Sequence, residues 1–118
     1  METTLGTLRE LVVNFRDARD WKKFHTPKDL ALAIGIEAAE MAELFLWKDN
    51  LQIAREMDLK DFRRRVGEEM ADIQIFLLCL SDVTSVDLSE AVRRKMALNG
   101  EKYPVEKAYG NAAKYTEL

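Results

Sequence analysis

The sequence is poor in the residues that most often announce a site: of 118 residues, one is cysteine, one is histidine, two are proline and five are glycine. Cys79 has no partner for an internal disulfide, and its place inside an apolar run marks it as a core residue in a reducing compartment. His25 alone excludes a histidine-rich zinc or iron centre. A di-iron helix bundle is excluded too, because it needs Glu-x-x-His motifs. There is no glycine-rich phosphate loop, no CxxC pair and no Ser/His/Asp spacing. The longest apolar stretches, over residues 30–36 and 75–80, fall far below the roughly 18–20 residues that cross a bilayer. The segment after Met1 lacks the basic-then-apolar layout of a signal peptide, so a soluble cytoplasmic protein without a membrane partner is expected. With 18 bases against 21 acids the formal charge is −3, which argues against nucleic acid as the main partner.

What is present is 47% apolar and 33% charged residues, enough for one domain with a real core. Leu5, Leu8, Val12 and Phe15 recur at helical spacing and predict a first helix over about 4–20. Thr26 can cap the next helix, Pro27 fits its first position and Asp29 favours its positive start. That helix is expected to run to about Trp47, followed by a connection to about Met57. A third helix is predicted from near Asp58 to about Asp82. Its second half is apolar almost all round, which implies burial in the core or in an oligomer interface. Asp87-Leu88-Ser89-Glu90 resembles a capping box and opens a fourth helix ending near Lys102, where Pro104 stops it. No segment alternates with a two-residue period, so no sheet is expected. The expected fold is all-α, a bundle of four main helices over residues 1–104, with a loosely ordered tail over 105–118.

Two acidic patterns interrupt the most apolar helices. Glu37 and Glu40 are three residues apart, as are Glu69 and Asp72, and that spacing puts each pair on one helix face. Acids on helices are usually a solvated stripe, and Glu43, Glu56, Asp58 and Glu68 fit that description. Ion pairs are the other ordinary explanation, since Arg63, Arg64 and Arg65 lie about one turn before Glu68 and Glu69. Two like-charged pairs in apolar helices are harder to explain so, because an unpaired buried carboxylate costs several kcal/mol. A cation removes both penalties, and four carboxylates offer only hard oxygen donors, which suit Mg²⁺ or Mn²⁺. An acid-rich Mg²⁺ site of this kind is by default a site of phosphate chemistry.

Lys95, Asn99 and Lys102 share a face of the fourth helix, with Tyr103 beside them. They can grip phosphate oxygens or simply form a solvated stripe near a helix C-terminus. Trp21 falls just before the second helix and Trp47 at its far end, with Phe24, His25 and Phe45 nearby. Indoles can take a nucleobase by stacking, although a tryptophan in a small bundle is more often core.

The order Glu37-x-x-Glu40, 28 residues, Glu69-x-x-Asp72 resembles the signature of the MazG-like all-α nucleoside triphosphate pyrophosphohydrolases. Arg19-Asp20-Trp21-x-x-Phe24-His25-x-Pro27, then Glu37-x-x-Glu40-x-x-Glu43-Leu44-Phe45-x-Trp47, is similar to their dCTP pyrophosphatase branch. So is the ending Lys95-x-x-x-Asn99-x-x-Lys102-Tyr103-Pro104. The resemblance implies a Mg²⁺-dependent enzyme, with Mn²⁺ as a substitute, that cleaves between the α and β phosphates of dCTP or a modified pyrimidine nucleotide. It implies Glu37, Glu40, Glu69 and Asp72 as metal ligands and catalytic acids; the chemistry of such a site then wants one acid not fully used as a ligand to orient or deprotonate the attacking water, and Glu40 is the choice for it. Trp21, His25 and Trp47 would line the base pocket, while Lys95, Asn99, Lys102 and Tyr103 would meet the phosphates. Homodimers or homotetramers are implied, with sites built partly from a neighbouring chain. Asp29 departs from the branch, where asparagine is expected, and that bears on which nucleotide is preferred. The rival expectations are the same chemistry on dUTP or a broad set of nucleotides, and a non-catalytic helical module that binds nucleotide or keeps its acids as ion pairs.

Overall fold

The structure, a computed structural model, describes residues 2–118 and is helical throughout, with no strand among the described residues. The helices are α1 (Leu5–Ala18), α2 (Pro27–Glu43), α3 (Asn50–Met57), α4 (Lys60–Thr84), α5 (Leu88–Lys102) and the short α6 (Val105–Ala108). Helix starts follow local chemistry. Thr4 accepts from the Thr7 amide at 3.1 Å, and the Thr7 hydroxyl returns the favour to the Thr4 amide at 2.8 Å. Thr26 caps α2 by accepting from the Asp29 amide at 3.2 Å, with Pro27 as the first helical residue. Asp87 caps α5 through the Glu90 amide at 3.0 Å. Each contact satisfies an amide that has no partner inside its helix.

The segment expected as a connection before residue 58 is helical instead. Asp49 accepts from the Gln52 amide at 2.8 Å and opens the eight-residue α3. The second helix also ends earlier than expected, at Glu43, and the chain then turns through residues 44–47. Trp47 has φ +65°, a left-handed conformation that a helix cannot continue through.

The chain divides into two compact units, one reaching to Ser85 and one from Val86 to Leu118. In the first, α4 is the central element and packs against α1, α2 and α3. Its buried apolar side chains are few: Leu30 from α2, and Phe62, Val66, Leu78 and Cys79 from α4. The remaining buried anchor is charged. Arg16, 2% exposed, donates from Nη1 to Asp82 of α4 at 2.8 Å and from Nε to Asp17 at 2.9 Å. Leu11, Val12 and Phe15 of α1 and Ile75 of α4 line an apolar groove of about 320 Å³, and Leu11, Phe15 and Ile75 remain substantially exposed. In the second unit, residues 105–118 form α6 and a 3-10 turn over Tyr115–Glu117 where a loose tail was expected. The Tyr115 ring meets Tyr103 edge-on at 6.1 Å, and Lys102 Nζ lies 4.9 Å over the Tyr115 ring.

Candidate functional site

Helices α2 and α4 bring three of the four expected carboxylates together. One oxygen each from Glu37, Glu40 and Glu69 lies within 4.8 Å of the others. Asp72 stands outside that set, although its charge is felt at Glu37. Burial, more than any neighbour, pushes the Glu37 carboxyl up from 4.5 to about 7. A hydrogen bond shared with Glu40 adds to the shift, followed by the charges of Glu40, Asp72 and Glu69. Glu37 Oε2 and Glu69 Oε2 are both buried and have no hydrogen-bond partner.

Orphaned buried carboxylate oxygens are costly, and here the clustered residues of two different helices carry one each. The set is all oxygen, so it fits a hard divalent cation and offers nothing to a soft one. The ion-pair explanation holds only for the neighbours. Arg64 is held between Asp61 and Glu68, at 2.7 Å from each, and no such pair reaches Glu69 among the described residues.

Beside the cluster lies a solvent-open cavity of about 420 Å³ lined by Glu40, Glu43, Leu44, Lys48, Arg65 and Glu69. Lys48 was not singled out in the sequence, and Arg65 entered there only as an ion-pair candidate for Glu68 and Glu69. Their only linear signal is that Arg65 sits one helical turn before Glu69, while Lys48 follows the exposed Trp47.

The residues expected to line a base pocket do not form one cluster with the carboxylates among the described contacts. Trp21 packs edge-on against Phe15 at 5.9 Å, and the Arg19 guanidinium covers the same Phe15 ring at 3.5 Å. The Trp21 amide also donates to the Arg16 carbonyl at 3.2 Å, which ties this turn to the end of α1. His25 is half-buried, its Nδ1 buried without a partner, and burial together with the Arg16 charge holds its imidazole below the usual range. Trp47 is 93% exposed. The two indoles lie beyond opposite ends of α2, a helix of 17 residues. At 1.5 Å per residue that helix spans roughly 25 Å. Asp29 sits exposed in the first turn of α2, with Lys28 Nζ 3.9 Å from its carboxylate, as a helix-start acid would.

In the second unit Lys95, Lys102 and Tyr103 are exposed and Asn99 is half-buried, all on or next to α5. The Asn99 carbonyl accepts from the Tyr103 amide at 2.8 Å, fixing the turn that follows.

Residues 32–118 match the MazG-like family. The chain is 40% identical over 117 residues to dCTP pyrophosphatase 1 of Mus musculus, covering 99% of this chain and 69% of that protein. The figures for dCTP pyrophosphatase 1 of Homo sapiens are 39% identity with the same coverage. Among solved structures, a pyrophosphatase from Archaeoglobus fulgidus superposes with a TM-score of 0.79 at 40% identity, covering 88% of this chain and 95% of that one. The all-helical fold shared with that pyrophosphatase and the identity to the dCTP pyrophosphatases make the chain an enzyme of the nucleotide diphosphatase class. Within that class, the chain belongs to the MazG-like family.

Proposed function

We propose that the chain is a Mg²⁺-dependent nucleotide diphosphatase. It hydrolyses the α–β phosphate bond of dCTP or a modified pyrimidine deoxynucleotide, releasing the monophosphate and pyrophosphate. The observation that carries this reading is the convergence of Glu37, Glu40 and Glu69 with two orphaned buried oxygens. The identity to dCTP pyrophosphatases supports the substrate class.

Glu37, Glu40 and Glu69 would hold the cation, with Asp72 completing the negative field on the same face of α4 as Glu69. When bound, the divalent ion supplies charge neutralisation at the phosphates and a more acidic water. The protein's own groups do the rest. Glu37, whose proton affinity lies near neutrality, gives up its proton as the site fills. Glu40, exposed at the rim and hydrogen-bonded to Glu37, orients the attacking water and takes its proton. Trp21, His25 and Trp47 supply ring surface and a hydrogen-bonding nitrogen for the base. Lys95, Asn99, Lys102 and Tyr103 supply donors for phosphate oxygens.

The working unit is a homodimer or homotetramer in the cytoplasm, with neither nucleic acid nor membrane as partner. The thin core, the apolar groove along α1 and α4 and the placing of Trp21 and Trp47 beyond opposite ends of α2 support a site completed by a second copy. No helix among the described residues is long and apolar enough to cross a membrane.

The deciding experiment measures pyrophosphate release from a panel of nucleotides with and without Mg²⁺. Release from dCTP, dependent on Mg²⁺ and abolished by Glu40→Gln in a folded protein, is the expected result. A purine nucleotide turned over faster than any pyrimidine would overturn the substrate assignment, and no release from any nucleotide would overturn the activity.

A further inference from the structure

The cavity beside the carboxylates has a wall that the acids do not explain. Lys48 and Arg65 reach it from different parts of the fold: Lys48 from the turn after α2, Arg65 from α4 one turn ahead of Glu69. Lys48 is fixed from two sides. Its Nζ lies 2.8 Å from Glu56 Oε2 of α3 and 4.6 Å over the ring of Phe62, a buried core residue. Arg65 differs from its neighbour Arg64, whose guanidinium is fully engaged by Asp61 and Glu68. Arg65 makes no ion pair among the described residues, and its donors are available to whatever enters the cavity.

The lining is almost wholly polar, with Leu44 as the one aliphatic wall, so it suits the charged end of a substrate and not a base. A volume of about 420 Å³ is ample for a diphosphate with its cation and water. Its charges set a condition. Glu40, Glu43 and Glu69 outnumber Lys48 and Arg65, so a bare polyphosphate is repelled, and a divalent cation on the carboxylates offsets that excess.

We infer that Lys48 and Arg65 form a metal-gated subsite for the leaving pyrophosphate, with Arg65 as its principal donor. Resting on the hydrolase reading, this deepens it by assigning the two ends of the substrate. The β and γ phosphates lie between Arg65 and Lys48, against the carboxylate cluster, and the departing pyrophosphate is received there. No new bond is required of either cation. They take up the charge that the leaving oxygen gains as its bond to the α-phosphorus breaks.

Calorimetric titration with inorganic pyrophosphate tests the subsite directly, on wild type, Arg65→Gln and Arg65→Lys, each with Mg²⁺ and with chelator. The wild type should bind pyrophosphate only with Mg²⁺. Arg65→Gln should weaken that binding about 10- to 100-fold, the effect of losing hydrogen bonds to a charged group, and Arg65→Lys should recover part of it. Affinity for the nucleoside monophosphate, measured in parallel, should change little. Unchanged pyrophosphate affinity in Arg65→Gln, or a loss confined to the monophosphate, would overturn the assignment. Tight pyrophosphate binding by the wild type in chelator would overturn the gating. These measurements need no turnover, so an inactive wild type in the nucleotide panel would sink the hydrolase reading and leave the subsite result standing by itself.

Discussion

Arg16 and Asp82 meet at 2.8 Å although 66 residues separate them in the chain. The Arg16 side chain is 3% exposed and that of Asp82 30%, so this contact holds the end of α1 on α4 through a guanidinium that water barely reaches. Removing one partner of such a pair leaves the other buried and poorly compensated. Asp82→Asn is therefore expected to destabilise the fold by about 2–3 kcal/mol, somewhat below the usual range because Asp17 still serves Arg16. Urea unfolding measures it, and a loss below about 0.5 kcal/mol would show the pair to be dispensable.

The raised proton affinity of Glu37 gives the metal-free protein a definite pH dependence. Between its ordinary value of 4.5 and its folded value of about 7, the native state holds a proton that the unfolded chain has released. The stability this group contributes is complete below 4.5 and declines as pH rises through about 7. Urea midpoints in chelator should fall from about pH 5 to about pH 8, and Glu37→Gln should flatten that trend. Mg²⁺ binding at about pH 6 should release protons into an unbuffered solution. A midpoint that climbs over the same interval, with wild type and Glu37→Gln alike, contradicts the assignment.

The placing of Trp21 and Trp47 beyond opposite ends of α2 predicts complementation. Glu40→Gln, Trp21→Ala and Trp47→Ala should each be impaired alone. If one tryptophan serves the neighbour's site, mixing Glu40→Gln with the variant of that tryptophan and allowing subunit exchange rebuilds one intact site per mixed dimer. Statistical mixing then restores about a quarter of wild-type activity. Both mixtures staying at the level of their parents would place the whole base pocket within one chain.

Association itself is open to a simpler measurement. Ile75→Lys puts a charge into the groove lined by Leu11, Val12 and Phe15, where a second copy would bury it. Sedimentation should show the wild type as a dimer or larger and the variant shifted towards monomer, with far-ultraviolet helicity retained. A wild type that sediments as a monomer at high concentration removes this face as an interface.

Much of the fold was legible because helix starts are local events. Thr26 with Pro27, and Asp87 with Glu90, announced α2 and α5 through the amides they satisfy or leave unneeded. The eight-residue α3 was missed because two turns carry too little periodicity to stand out from a linker. Spacing placed Glu37 with Glu40, but it could not say that Asp72 would lie outside the tight cluster, which depends on how α2 meets α4. Lys48 was silent, and Arg65 was visible only as an ion-pair candidate, for the same reason: only packing brings them to one cavity.

Trp47 returns as a question of selection. Its backbone is held at φ +65°, where a side chain is a burden and glycine is at ease, and its ring is 93% exposed. By this geometry a glycine in its place would fold at least as comfortably. Folding thus supplies no reason for an indole here; the reason has to come from whatever the ring meets outside its own chain, a nucleobase or a neighbouring subunit. A residue that works against its own backbone is a record of function written into the stability of the protein.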